Sequence, residues 1–351
     1  MADAKVRIGF VGVGSMGQCA HLKNYATLPE CEVVAIAELR PELARRVAAK
    51  YGVPRVYPTA EDMLAHERLD AIVAAQQFSR HGQVILPLYK AGLPVMTEKP
   101  LASSVEVGEH LVHALQAGGA WHMVGYHKRS DPATMYARQV IDQLKQTGEL
   151  GAFRYVRIVM PAGDWVASGF SDLVKTDEPY PAGENDPPAG DMDAQTYTAY
   201  VGFVNYYIHQ VNLMRYLLGE PYHITYAEPT QTVLVVRSQS GVAGVIEMSP
   251  YQTSLGWQES ALVAFEHGYI KIGLPAPLAS NVSGQVEVYR DPGKGKTPEA
   301  FVPVLPPIHA MRQQAINFIH AVRGETKPPC EAAEALEDLR VAREYFRLLG
   351  K

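Results

Sequence analysis

Residues 6–17 read VRIGFVGVGSMG. A β-branched run passes directly into Gly12, Gly14 and Gly17, spaced G-x-G-x-x-G, with Ser15 and Met16 before the last glycine. Glycines so placed permit a tight turn, close backbone approach to a pyrophosphate, and close helix–strand packing. The QCAHLKNYATL that follows has helical character, so a helix N-terminus faces the phosphates. Glycine-rich turns are common, and the pattern alone is weak. Its context strengthens it: CEVVAIAE reads as a second buried strand and ends in Glu38, 21 residues after Gly17. An acid about 20 residues on is what holds the adenosine ribose hydroxyls. The stretch therefore opens a dinucleotide-binding βαβ unit. Glu38 accepts hydrogen bonds from a ribose 2′-hydroxyl and opposes a 2′-phosphate, which favours NAD over NADP. Arg40 is the competing feature, because a guanidinium two residues on can clamp that phosphate.

The alternation continues outward. Helices are expected over 41–51, 81–91 and 103–117, and strands over 70–75, 94–98 and 120–126. Strands alternating with helices predict an α/β fold with a parallel, doubly wound Rossmann sheet, here residues 1–128. Ligands of such sheets bind beyond the carboxyl ends of the strands. Gln76, Gln77 and His81 follow one such end, Glu98 and Lys99 another in TEKPL, and Tyr126, His127 and Arg129 the last.

Residues 129–351 read differently, as an α+β domain. A helix (132–147) and a strand, FRYVRIVM, lead into an irregular segment, 161–200. It holds eight acids against one base, Lys175, and five prolines. A loop this long is either solvated or functional, as a lid or a subunit contact. Six strands without intervening helices then predict a largely antiparallel sheet, with a hairpin turn at 238–241. Two closing helices, 308–322 and 331–348, are expected to pack back on the first domain.

Before those strands lies NYYIHQVNLMRYLLG, 205–219, read as one buried helix. Asn205, His209 and Asn212 fall at i, i+4 and i+7, a seam about 60° wide. Buried polar groups must find partners or cost about 1–3 kcal/mol each. On this stretch alone, a core hydrogen-bond network and a functional site are both open.

Composition bounds the rest. The 351 residues carry a net charge of −5 and no basic run, against a nucleic-acid partner. Cys19, Cys31 and Cys330 are few, odd in number and far apart, which fits a reducing compartment and suggests neither disulfides nor a metal set. The N-terminal stretch lacks signal-peptide character, and no apolar run approaches the roughly 20 residues of a membrane span. A cytoplasmic protein with no membrane partner and no metal is expected.

GFVGVGSMG, TEKPLA, and an N-x-x-x-H-x-x-N helix followed by LMRYLLGEP, together with His81 and the RSDP that ends at Pro132, resemble the Gfo/Idh/MocA oxidoreductases. The resemblance runs through nearly the whole chain. It implies a nicotinamide cofactor, held by Gly12, Gly14, Ser15, Met16, Gly17, Glu38, Arg40, Gln76, His81, Glu98 and Lys99. It implies a sugar or cyclitol substrate, a homodimer or homotetramer built on the C-terminal sheet, and a cis bond at Lys99–Pro100. Relatives usually have D-x-x-x-H-x-x-D in the seam; Asn205 and Asn212 depart from that. An amide cannot take up a proton or raise a histidine's pKa by charge. His209 is then the expected base and Lys99 steadies the developing alkoxide, or is itself the base if desolvated. Asn205 would orient the imidazole or hold a substrate hydroxyl. Tyr126, His127, Arg129, Asp164 and Trp165 are candidate substrate walls. Three functions follow: a sugar or cyclitol dehydrogenase or reductase; an enzyme that retains NAD and oxidises a sugar transiently for glycoside cleavage or epimerisation; and a non-catalytic NAD-binding regulator.

Overall fold

A computed structural model describes residues 4–116, 118–293 and 295–350. Six strands, β1 (Val6–Val11), β2 (Cys31–Ala37), β3 (Arg55–Tyr57), β4 (Ala71–Ala74), β5 (Val95–Glu98) and β6 (His122–Gly125), form one sheet in the order β3-β2-β1-β4-β5-β6. All pairings are parallel. β4, β5 and β6 are buried along their whole length, as a sheet covered on both faces requires. The order reverses beside β1, which opens the crevice where doubly wound sheets bind ligands.

Several local readings change. The helical stretch QCAHLKNYATL opens as a π-helix, Gly17–Leu22. The helix expected over 81–91 is two short ones, His81–Val84 and Leu86–Tyr89, and Pro87, which has no N–H to donate, lies in the second. The helix expected over 103–117 runs Val105–Gln116, and residue 117 lies outside the described residues. β3 and the helix Ala60–His66, capped by Thr59, were not anticipated.

This first compact unit extends to Tyr126 and also takes in 168–205 and 314–340. It differs from the expected division at 128, because the acidic segment groups with the Rossmann sheet. Residues 314–340 are held by aromatic packing. Phe318 meets Tyr25 and Trp121 edge-on, with ring centroids 6.3 and 5.6 Å apart, and Tyr25 meets Phe10 in the same way.

The second unit comprises 127–167, 206–313 and 341–351. Its strands are β7 (Phe153–Ala162), β8 (Tyr222–Ala227), β9 (Val233–Ser238), β10 (Ala243–Gln252), β11 (Glu259–Phe265), β12 (Gly268–Leu274), β13 (Gln285–Arg290) and β14 (Glu299–Phe301). They form one sheet, ordered β14-β13-β12-β11-β7-β10-β9-β8, antiparallel except where β7 pairs with β10. Alternation sends Val156, Ile158 and Met160 of β7 inward, and the helices Pro132–Thr147 and Ile208–Leu218 pack on the sheet.

The seam does not form as one helix. Ala194–Tyr206 and Ile208–Leu218 are separate helices, broken at Tyr207 (φ −91°, ψ −5°). Tyr207 bonds Ser249 Oγ at 2.7 Å, and its carbonyl accepts from the amides of Gln210 and Val211, so it starts the second helix rather than continuing the first. Asn205 therefore closes one helix in the first unit, whereas His209 and Asn212 belong to the second.

Candidate active site

In the first unit a groove of about 260 Å³ lies at the carboxyl ends of β1, β2 and β4, lined by Gly12, Gly14, Glu38, Arg40 and Gln76 among others. Gly12 has φ +88°, and a Cβ there would lie 2.2 Å from Gln76 Nε2, so only glycine fits. A Cβ on Gly17 would come within 2.6 Å of the Gly12 oxygen, the close packing expected of the third glycine. Around Gly14 the nearest such atom is Arg40 Nη2 at 3.8 Å, which leaves the backbone open to a ligand. Ser15, also exposed, and Met16 stand at the start of the helical turn.

Glu38 follows β2 and is buried. Its Oε2 accepts from the Val13 amide at 3.0 Å, and Arg40 binds both oxygens, through Nε at 2.8 Å and Nη2 at 3.1 Å. Arg40 also lies 5.3 Å from the Tyr180 ring centroid, so its guanidinium is engaged on two sides. This cradle fits a dinucleotide. His81 is fully buried, with Nδ1 2.9 Å from the Leu101 carbonyl oxygen, and burial lowers its pKa. It sits behind the groove rather than in its lining. Arg80, Gln83, Tyr180 and Pro181 also line the groove. The sequence carried no local signal for the last two, which arrive from the acidic segment.

At the end of β5, Glu98 lies 2.6 Å from His21 Nε2 and accepts from the Lys99 amide. Burial pushes its carboxyl up, but the hydrogen bond and charge of His21, with Lys99, bring it below its usual value. Lys99–Pro100 is cis. Lys99 Nζ donates to the Asn205 carbonyl oxygen at 2.7 Å, in the last turn of Ala194–Tyr206, where the helix dipole attracts an ammonium. Tyr126 is buried.

In the second unit, half-buried His209 packs edge-on against buried His127, with centroids 4.7 Å apart. Arg129, expected as a wall residue, is 3% exposed; its Nε donates to Asn212 Oδ1 at 2.6 Å and its guanidinium covers Tyr216. Asn212 thus accepts from a buried guanidinium. Asp164 and Trp165 are exposed on the turn after β7, where Asp164 accepts from the amides of Val166 and Ala167. Beside His209, a buried cluster escaped sequence reading: Lys128 pairs with Glu259, which also accepts from Gln210 Nε2 (2.7 Å) and Trp257 Nε1 (3.1 Å). Among the described residues, no group of His, Cys, Asp and Glu could hold a metal ion, and no helix is long and apolar enough to cross a membrane.

A parallel sheet of this order, with a glycine cradle and an acid beyond β2, defines a dinucleotide-binding protein. Residues 6–126 match the sequence model described as "Oxidoreductase family, NAD-binding Rossmann fold". The chain is 25% identical over 262 residues to scyllo-inositol 2-dehydrogenase (NAD(+)) of Bacillus subtilis, covering 70% of this chain and 68% of that protein. It is 33% identical over 133 residues to inositol 2-dehydrogenase of Acidothermus cellulolyticus, covering 37% and 39%. A solved structure of a putative NADPH-dependent oxidoreductase from Desulfitobacterium hafniense matches with TM-score 0.78 at 15% identity, over 99% of this chain and 96% of that one, and shares its fold. The family model that this Rossmann portion matches is that of the Gfo/Idh/MocA oxidoreductases.

Proposed function

We propose that the protein is an NAD-dependent oxidoreductase that moves a hydride between a secondary alcohol of a sugar, sugar derivative or cyclitol and nicotinamide. The observation that carries this reading is Lys99, whose Nζ donates to the Asn205 carbonyl at the carboxyl end of β5. The sugar or cyclitol class is supported by the inositol dehydrogenases among the relatives. NAD is supported by Glu38, whose carboxylate faces the groove, and by Arg40, which is bound to Glu38 and Tyr180 rather than free to clamp a phosphate.

When bound, the nicotinamide supplies the hydride acceptor. Lys99 steadies the negative charge that develops on the alcohol oxygen. His209, an imidazole with a reference pKa of about 6.5, takes the hydroxyl proton. Asn205 acts through its backbone as a positioning residue for Lys99. Assembly as a homodimer or homotetramer is supported by the outer sheet face, where half-buried Val235, Val245, Leu262 and Tyr269 surround the Arg157–Glu247 ion pair.

The test is a panel of sugars, cyclitols and glycosides with NAD, followed for both NADH and product. Stoichiometric NADH supports net dehydrogenation. Product without net NADH supports the retained-cofactor reading. Neither, from protein that binds NAD, rejects both.

A further inference from the structure

Residues 172–186 cross the groove of the first unit, anchored at both ends. On one side Asp172 Oδ1 pairs with Lys50 Nζ at 2.8 Å. Gln18 exchanges two hydrogen bonds with the Val174 backbone, at 3.1 and 2.9 Å. The Glu178 carboxylate accepts from the amides of Glu42 and Leu43, at 2.9 and 2.8 Å, in the first turn of the helix Pro41–Tyr51. On the other side Arg80 Nη2 donates to the Gly183 carbonyl at 2.6 Å, the Asp186 amide donates to the Ser79 carbonyl, and buried Asp186 Oδ2 accepts from the Gly82 amide at 2.7 Å. Glycine permits these contacts: a Cβ on Gly82 would lie 2.8 Å from Asp186 Oδ1, and one on Gly183 2.7 Å from Arg80 Nη1.

Between the anchors, Tyr180 and Pro181 line the groove with Gly12, Gly14 and Glu38. Tyr180 is 61% exposed, and its ring lies against Arg40, the residue that grips Glu38. An aromatic ring kept wet beside an acid that selects a ribose has the chemistry of a purine platform. Of the five acids in the segment, Asp172, Glu178 and Asp186 are engaged by an ammonium and backbone amides.

We propose that 172–186 is a clasp over the adenosine half of the dinucleotide, with Tyr180 stacking on the purine, and that it keeps the cofactor bound between turnovers. The proposal rests on the NAD-dependent reading above. It is tested by loading the full-length protein with NADH, chasing with excess NAD, and following release by nicotinamide fluorescence. Tyr180→Ala and Glu178→Ala are expected to release NADH about tenfold faster or more, the scale of losing a charge-assisted hydrogen bond or a stacking contact, and Tyr180→Phe to behave as wild type. Equal release from all four proteins overturns the clasp and leaves the NAD-dependent reading standing. A wild-type protein that takes up neither NADH nor NADPH overturns both.

Discussion

Lys99 Nζ donates its 2.7 Å hydrogen bond to the backbone oxygen of Asn205, not to the side chain. Because the acceptor is main chain, Asn205→Ala leaves the anchor in place and should change kcat by less than about threefold, whereas Lys99→Ala removes the ammonium and should lower kcat by roughly 10²–10³. Steady-state kinetics on the substrate found by the panel checks the contrast. Equal losses in the two variants would give the Asn205 amide a chemical role.

His209 is half-buried, so truncating it opens little core. His209→Ala should lower kcat by roughly 10²–10⁴ if the imidazole is the base, with NAD affinity little changed. A lowered melting temperature with normal kcat in the folded fraction would make it a packing residue against His127.

Much of the first domain was legible in the chain. Buried strands of β-branched residues, a glycine triad and an acid at a fixed distance are local signals, and each found its place around the groove. The seam was not legible. Its helical periodicity continues through Tyr206 and Tyr207, and the helix breaks at Tyr207, whose hydroxyl is bonded to Ser249, distant in sequence. The docking of 172–186 depends likewise on Gln18, Lys50 and Arg80, more than a hundred residues away. The buried Lys128–Glu259 pair joins residues 131 apart, and neither carries a motif. Period and propensity report what a residue does for its own element; these contacts were set by another.

Cofactor choice follows from Glu38. With the Glu38 carboxylate lining the groove and Arg40 held on it, the site should show a higher kcat/KM with NAD than with NADP, and Glu38→Ser should shift the ratio toward NADP. An equal or higher kcat/KM with NADP in the wild type would contradict the assignment.

Asp131 gives a pH-dependent prediction. Burial pushes its carboxyl from 3.8 up to about 6, against hydrogen bonds from the Ala133 and Gly284 amides. A folded-state pKa above the unfolded one means stability that is full below 3.8 and lost as pH rises through about 6. The loss is on the order of 3 kcal/mol. Asp131→Asn stays neutral and still caps the helix Pro132–Thr147, so its stability relative to wild type should grow across that window. Denaturation curves at several pH values decide it; a constant difference would remove Asp131 as the source.

The central claim is that a hydride leaves a carbinol carbon of the substrate for nicotinamide. The panel's active alcohol, deuterated at that carbon and turned over with NAD, should yield nicotinamide carrying one deuterium by mass spectrometry. Product formed with the deuterium washed into solvent water would mean proton abstraction instead, and would contradict the account.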